Sequence, residues 1–360
     1  MSRQVLKALL ELHQKGLIGL QVQVLEGSCP QPGDDLFDVD RLPVVRWYAG
    51  SRWKFALRLL VANSDFLLLD HLGLGRLPGL VPLPLGRKYL ALVHGVEIGN
   101  GTRTDYLRTA RKAEMLIANS ESTARKVRGR VAGFPEIRVC WPGKDVMRLG
   151  SEPTVSPFEH IGGHAMLIVG RLSAEQRHKG HDHLIEAMPL ILQMVPDAQL
   201  VIAGEGNDRR RLEAKAMDLQ VQDRVLFTGW VNEVQLSHLY SQCALFVMPS
   251  EGDGFGLVFL EAMSHRLPCV GLKTGAAAEI FEDQCSGILV DREDRPAMAR
   301  SLSSLLLDQQ GRRRLGQAGY ARYQSTFQGR HYAKRLQSIL LEHFRLASRD
   351  PTKKSAARLV

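Results

Sequence analysis

The sequence predicts an α/β protein made of doubly wound parallel sheets, and three observations carry that expectation. Short apolar runs alternate with helical patterns along most of the chain, which is the mark of parallel βαβ units. Gly-rich turns follow several of those runs, where such sheets bind their ligands. The length, 360 residues, suits two domains of ordinary size.

In the first half, apolar runs at 21–25, 66–69, 89–94, 115–119 and 137–141 read as strands. Helices fit at 4–14, 47–62, 103–113 and 122–131. In the helix at 47–62, Trp53, Ala56, Leu57, Leu60 and Val61 share one face, which reads as core-facing. An interfacial membrane helix is the minority reading. The segment 150–163, with Pro153 and Pro157, reads as a linker. The second half alternates more cleanly. Strands are expected at 166–169, 199–203, 225–228, 244–248, 268–272 and 287–290, with helices at 183–194, 208–219, 233–242, 257–264 and 276–281. A last helix covers 331–347. The expected domains are 1–155 and 160–330, then a helix at 331–348 and a basic tail at 349–360.

Hydrophobic content of 44% and charge of 24% are those of a soluble globular protein. No stretch of 18 apolar residues marks a membrane span, and Met1–Val5 opens no signal-peptide core. Cys29, Cys140, Cys243, Cys269 and Cys285 are scattered and form no C-x-x-C, which argues for reduced thiols in a cytosol. The net charge is +9. Its basic residues cluster at 125–130, 209–211, 312–314 and 353–354. A solvated helix face explains each cluster, and attraction to an anionic membrane is the functional alternative. No aromatic-rich recognition motif accompanies them, so nucleic acid is not the expected partner.

The most informative segment is S-E-G-D-G-F-G-L-V-F-L-E-A-M, residues 250–263. It runs from a buried strand through three glycines into an apolar helix. Free N–H groups and the helix dipole at such a turn favour an anion. Asp253 and Glu261 bracket the turn with seven residues between them, and acids beside a phosphate cradle suit sugar hydroxyls. A glycine-rich turn with a capping Asp is the bland reading. The segment resembles the E-x7-E signature of retaining glycosyltransferases of family 4, which have the GT-B fold. Asp253 stands where the first Glu is usual, one methylene shorter, and Glu261 matches the second.

The resemblance implies two Rossmann-like domains facing across a cleft, with the terminal helix crossing back to the first. It implies a nucleotide diphosphate sugar as donor, a hydroxyl on a glycan or lipid-linked acceptor, and no cofactor or metal. Arg171 and Lys179 match the cations that grip the donor diphosphate, and cations preset there stabilise the leaving oxygen. Two surface cations in a loop are the alternative. His178 and His181 flank Lys179 but lack a carboxylate pair at metal-ligand spacing. His94, in H-G-V-E, resembles the family's strand-end His at the donor sugar, with Glu97 a weaker candidate. Glu261 would hold the ribose. Asp253 with the backbone of Gly254, Phe255, Gly256, Leu257 and Val258 would position the sugar. Glu205 and Val231 stand in strand-end turns that shape the nucleotide pocket in the family, and Glu279 is a weak candidate.

One departure stands out. The family opens with a strand and a Gly-rich loop, whereas this chain opens in its first helix. Either the start is assigned too late or the chain is a truncated relative, and the first sheet is expected to have a gap at its middle. The implied function is a cytoplasmic transferase, peripheral at the inner membrane face, in polysaccharide, lipopolysaccharide or glycolipid assembly. The rival is a non-catalytic nucleotide-sugar-binding or scaffold relative with a truncated first domain.

Overall fold

The computed structural model describes residues 2–24, 45–61, 64–76, 88–99, 102–130, 133–146, 161–347 and 358–359. The chain divides into two compact units, residues 1–142 with 329–360 and residues 143–328. The division thus falls at Pro142–Gly143 and not near 155, and most of the linker expected at 150–163 lies outside the described residues.

In the first unit, helix α1 (Ser2–Gln14) places Val5, Ala8, Leu9 and Leu12 on one face at helical spacing, and all four are buried. They share a core with Tyr332, Ala333, Leu336 and Leu340 of the last helix, α12 (Gly329–Ala347). The expected strand at 21–25 is two short ones, β1 (Gly19–Leu20) and β2 (Val22–Val24). The expected helix at 47–62 begins late. Val45–Trp47 is strand β3, paired in parallel with β2, and α2 spans only Arg52–Val61. A turn separates them, with Ala49 (φ 46°) and Gly50 (φ 78°) in the left-handed region that ends any helix. Phe55 and Leu59 face the core, while Trp53 (86% exposed) and Leu57 (62% exposed) face solvent, so the core-facing assignment of those two is corrected.

The unit continues through β4 (Phe66–Leu69), β5 (Lys88–Val93), α3 (Thr104–Lys112), β6 (Met115–Ala118), α4 (Glu121–Arg128) and β7 (Glu136–Val139). Its main sheet has the order β1-β14-β4-β5-β6-β7, and every pair is parallel. Strand β14 is Arg358–Leu359. It pairs with Gly19 and Leu20 on one side and with Phe66 on the other, so the gap expected in mid-sheet is filled from the C-terminal end of the chain. The physical reason is the need to pair the inner edges of β1 and β4, whose N–H and C=O groups are costly to leave unpaired. The tail expected at 349–360 is therefore partly strand. Residues 349–357 and 360 lie outside the described residues.

The second unit is a regular alternation: β8 (Ala165–Val169), α5 (His181–Met194), β9 (Gln199–Ala203), α6 (Arg209–Asp218), β10 (Val225–Gly229), α7 (Glu233–Gln242), β11 (Leu245–Met248), α8 (Leu257–Ser264), β12 (Cys269–Leu272), α9 (Ala277–Ile280) and β13 (Ile288–Val290). Helix α7 starts where Asn232 and Gln235 form a reciprocal capping box. Two helices the apolar pattern does not reveal, α10 (Arg295–Leu307) and α11 (Gln309–Arg322), follow, and a π-helical turn at Tyr323–Phe327 ends the unit. The sheet order is β10-β9-β8-β11-β12-β13, all parallel. The order reverses between β8 and β11. Ligands of doubly wound sheets bind outside the strands' carboxyl ends at such a switch point.

Candidate active site

The turns after β8 and β11 flank the switch point of the second unit and pack on each other. Gly180 (φ +94°) ends the first turn, and a Cβ there would lie 2.6 Å from Pro249 Cγ and 2.7 Å from Pro249 O. A Cβ on Gly252 would lie 2.3 Å from the His178 ring. Both closures need glycine, and together they bring Lys179 to Asp253, with Nζ 3.0 Å from Oδ1. The pair is 15% and 19% exposed. Asp253 Oδ2 is buried with no hydrogen-bond partner among the described residues, so one acceptor of this carboxylate is unused.

Two helices start beside this pair. Helix α5 begins after Gly180, and α8 begins after Gly256 (φ 87°), and neither has a side-chain cap. Uncapped N-termini leave positive partial charge and open N–H groups toward an anion. His181, in the first turn of α5, is only 3% exposed. Burial, and then the Lys179 charge, bring its imidazole down to about 4, so it is neutral at pH 7.

A third turn, after β9, is held against the first. A Cβ on Gly204 would lie 2.0 Å from Gly170 O, and one on Gly206 would lie 1.9 Å from Leu172 O. The Leu172 N–H donates to Glu205 O at 2.9 Å. The side chains of Arg171 and Glu205 are nonetheless exposed and make no hydrogen bond or ion pair among the described residues. Val231 is half-buried beside Trp230, which is 70% exposed. Phe255 is 3% exposed and packs on Phe327 with ring centroids 5.9 Å apart, so it offers a ligand only its backbone. Gly254 is buried, and Leu257 and Val258 are half-buried in the first turn of α8.

Glu261 lies on the next turn of α8 and is 8% exposed. A carboxylate so buried needs partners. Tyr240 donates to its Oε2 at 2.9 Å, and Lys144 donates to its Oε1. Burial first, and the Glu261 charge second, push the Tyr240 phenol far up, which keeps it a donor. The Tyr240 ring stacks on His265 with centroids 5.3 Å apart. Reading the sequence alone misses Lys144 and Tyr240, since neither belongs to a recognisable motif. The one signal for Lys144 is its place in a Pro-Gly turn after a strand.

In the first unit, His94 stands at the carboxyl end of β5. Its Nε2 lies 2.6 Å from Asp70 O, which accepts the ring proton and leaves Nδ1 as the ring's acceptor. The His94 N–H donates to Glu97 Oε2 at 2.9 Å, and Asn119 donates to His94 O at 2.9 Å. Glu97 is 5% exposed, and its Oε1 lies 3.4 Å from His71 Nε2. Asp70 and His71 were also missed, although they follow strand β4 directly, where strand-end chemistry is expected.

Residues 162–322 match the family described as glycosyl transferases group 1. A GDP-mannose-dependent alpha-(1-6)-phosphatidylinositol monomannoside mannosyltransferase of Mycolicibacterium smegmatis is 28% identical over 71% of this chain and 70% of its own length. An uncharacterised glycosyltransferase of Methanocaldococcus jannaschii is 38% identical over 40% of this chain and 36% of its own. Among solved structures, a sucrose-phosphate synthase from Thermosynechococcus elongatus superposes with TM-score 0.72 at 20% identity, covering 95% of this chain and 92% of that one. HepE of Anabaena, in complex with UDP and glucose, gives 0.73 at 18% identity over 95% and 96%. These likenesses place the chain in the GT-B fold.

Proposed function

Because the chain is a group 1 glycosyltransferase, matched to that family over residues 162–322, we propose that it moves a sugar from a nucleotide diphosphate sugar to an acceptor hydroxyl with retention of configuration. The observation that carries this reading is the meeting of Lys179 and Asp253 beside two uncapped helix starts at the switch point. A cation and open N–H groups suit the diphosphate, and the unused oxygen of Asp253 suits a sugar hydroxyl.

Lys179 and Arg171 then carry the charge that develops on the departing diphosphate. Asp253 and the backbone from Gly254 to Val258 hold the donor sugar. Glu261 accepts from the ribose hydroxyls, and Glu205 and Val231 border the nucleotide. No cofactor or metal enters this scheme.

The acceptor is a glycan or lipid-linked hydroxyl in polysaccharide or glycolipid assembly, in keeping with the phosphatidylinositol mannoside named for the mycobacterial relative. No helix among the described residues is long and apolar enough to cross a membrane. We place the protein in the cytoplasm, touching an anionic inner-membrane face. The exposed Trp53 and Leu57, flanked by Arg52 and Lys54, support that contact.

Calorimetric titration with UDP-, GDP- and ADP-sugars tests the donor site, with Lys179→Ala as control. GDP-mannose belongs in the panel because a relative is named for it, and UDP-glucose because a solved neighbour is named for that complex. Saturable binding that Lys179→Ala abolishes is expected. The absence of binding by any donor would overturn the reading.

A further inference from the structure

Helix α8 places Glu261 with its carboxylate almost closed to solvent, and Tyr240, itself 2% exposed, shuts one side. The other side is held by Lys144, 117 residues earlier in the chain. The lysine side chain is 39% exposed against 11% for the glutamate, so the pair opens to solvent on the lysine's side.

The main chain at Lys144 is fastened at both of its polar groups. Its N–H donates to Phe327 O at 2.9 Å, and its C=O accepts from Tyr323 Oη at 2.9 Å. The neighbouring Gly143 leaves no room for a side chain, since a Cβ there would lie 2.4 Å from Gln328 O. The first residues of the second unit are thus tied to its last turn. A long, flexible lysine is thereby delivered to its partner from a fixed anchor, which lowers the entropy cost of holding one geometry.

An ionised carboxylate has about four lone-pair positions. Tyr240 takes one on Oε2 and Lys144 takes one on Oε1, and the remainder have no partner among the described residues. Without Lys144 the carboxylate keeps only the tyrosine among the described residues, and its terminal torsion is broad and soft.

We propose that Lys144 is a positioning residue for the donor ribose: it holds the Glu261 carboxylate in the orientation that accepts the ribose hydroxyls. The proposal rests on the reading of Glu261 as the ribose acceptor. It goes beyond that reading by assigning ribose selectivity to a residue outside the E-x7-E segment.

The test is calorimetric titration of the full chain with UDP, GDP and ADP, then of whichever binds against its 2′,3′-dideoxy analogue. The wild type is expected to favour the ribonucleotide by about 10-fold or more, the worth of a hydrogen bond to a charged group. Lys144→Met should weaken the ribonucleotide about 10-fold, leave the dideoxy analogue unchanged, and so erase the preference. Lys144→Arg should restore it. Should Lys144→Met not fold, Lys144→Gln reads the same ratio. A preference that survives in Lys144→Met, or equal weakening of both ligands, overturns the proposal and leaves the donor site standing. Failure of the wild type to bind any of the three diphosphates overturns both.

Discussion

Lys179 Nζ and Asp253 Oδ1 lie 3.0 Å apart across 74 residues of sequence, each carried on the turn that follows a central strand. The pair is mostly buried, so each charge depends on the other for compensation.

Their coupling is measurable. Asp253→Ala should lower kcat about 100-fold by loosening the donor sugar, and Lys179→Ala should lower it by a similar factor through lost charge stabilisation. The double variant should lose less than the product of the two, with a coupling of roughly 0.5–3 kcal/mol. Steady-state kinetics with the donor identified by calorimetry read this directly, and strict additivity would show that the two residues act apart.

The buried histidine beside this pair gives the fold a mildly acid-sensitive step. Burial and then Lys179 lower His181 from 6.5 to about 4. Between those values the unfolded chain binds a proton that the folded chain does not, so stability present above pH 6.5 is lost as pH falls toward 4. The full effect is on the order of 3 kcal/mol. Thermal melting from pH 7.5 to 4.5 should show a falling Tm in the wild type and a flatter profile in His181→Gln. Parallel profiles would assign the acid sensitivity to other groups.

A lower window belongs to the carboxylates of α5 and α6. The hydrogen bonds from Arg211 and then Arg177, acting against burial, hold Asp208 at about 2. Burial opposes ionisation of Asp182, but hydrogen bonds from Arg211 and Lys215 outweigh it and hold that group well below the usual range. Groups lowered in this way stabilise the fold above the ordinary carboxylate value, and the gain is lost as pH falls toward 2. Asp208→Asn should therefore cost about 2 kcal/mol at pH 7 and much less at pH 2.5, read by urea unfolding at the two pH values. An equal cost at both would mean that Asp208 acts by shape and not by charge.

The parts of this protein that were legible in sequence are those fixed by local pattern. Apolar runs such as 199–203 and glycines such as Gly252 and Gly256 announce strands and turns because burial, close approach at Gly252 and positive φ at Gly256 act residue by residue. Lys179, Asp253 and Glu261 stand out as candidates in the sequence because each sits in a motif. Lys144 and Tyr240 were not, because their role is a meeting with Glu261 across 117 and 21 residues that no spacing rule encodes. The helix expected at 47–62 failed at Ala49–Gly50, where a tight turn overrides the apolar period. Arg358–Leu359 is too short to alternate, and only the unpaired edges of β1 and β4 give it a structure.

That last strand sets up a test of the first sheet. β14 lies inside the sheet, with Gly19 and Leu20 paired to it on one side and Phe66 on the other. Removing residues 349–360 should leave the facing edges of β1 and β4 without partners and destabilise the first unit by roughly 2–4 kcal/mol, a few hydrogen bonds' worth. Hydrogen exchange should show faster amide exchange in β1 and β4 and no change in β8 and β9 of the second unit. Leu359→Pro should reproduce much of the effect, since proline has no N–H to donate to a ladder and does not belong in a central strand. If truncation and Leu359→Pro both leave the β1 and β4 amides as protected as before, the pairing of the C-terminal strand contributes nothing to the sheet.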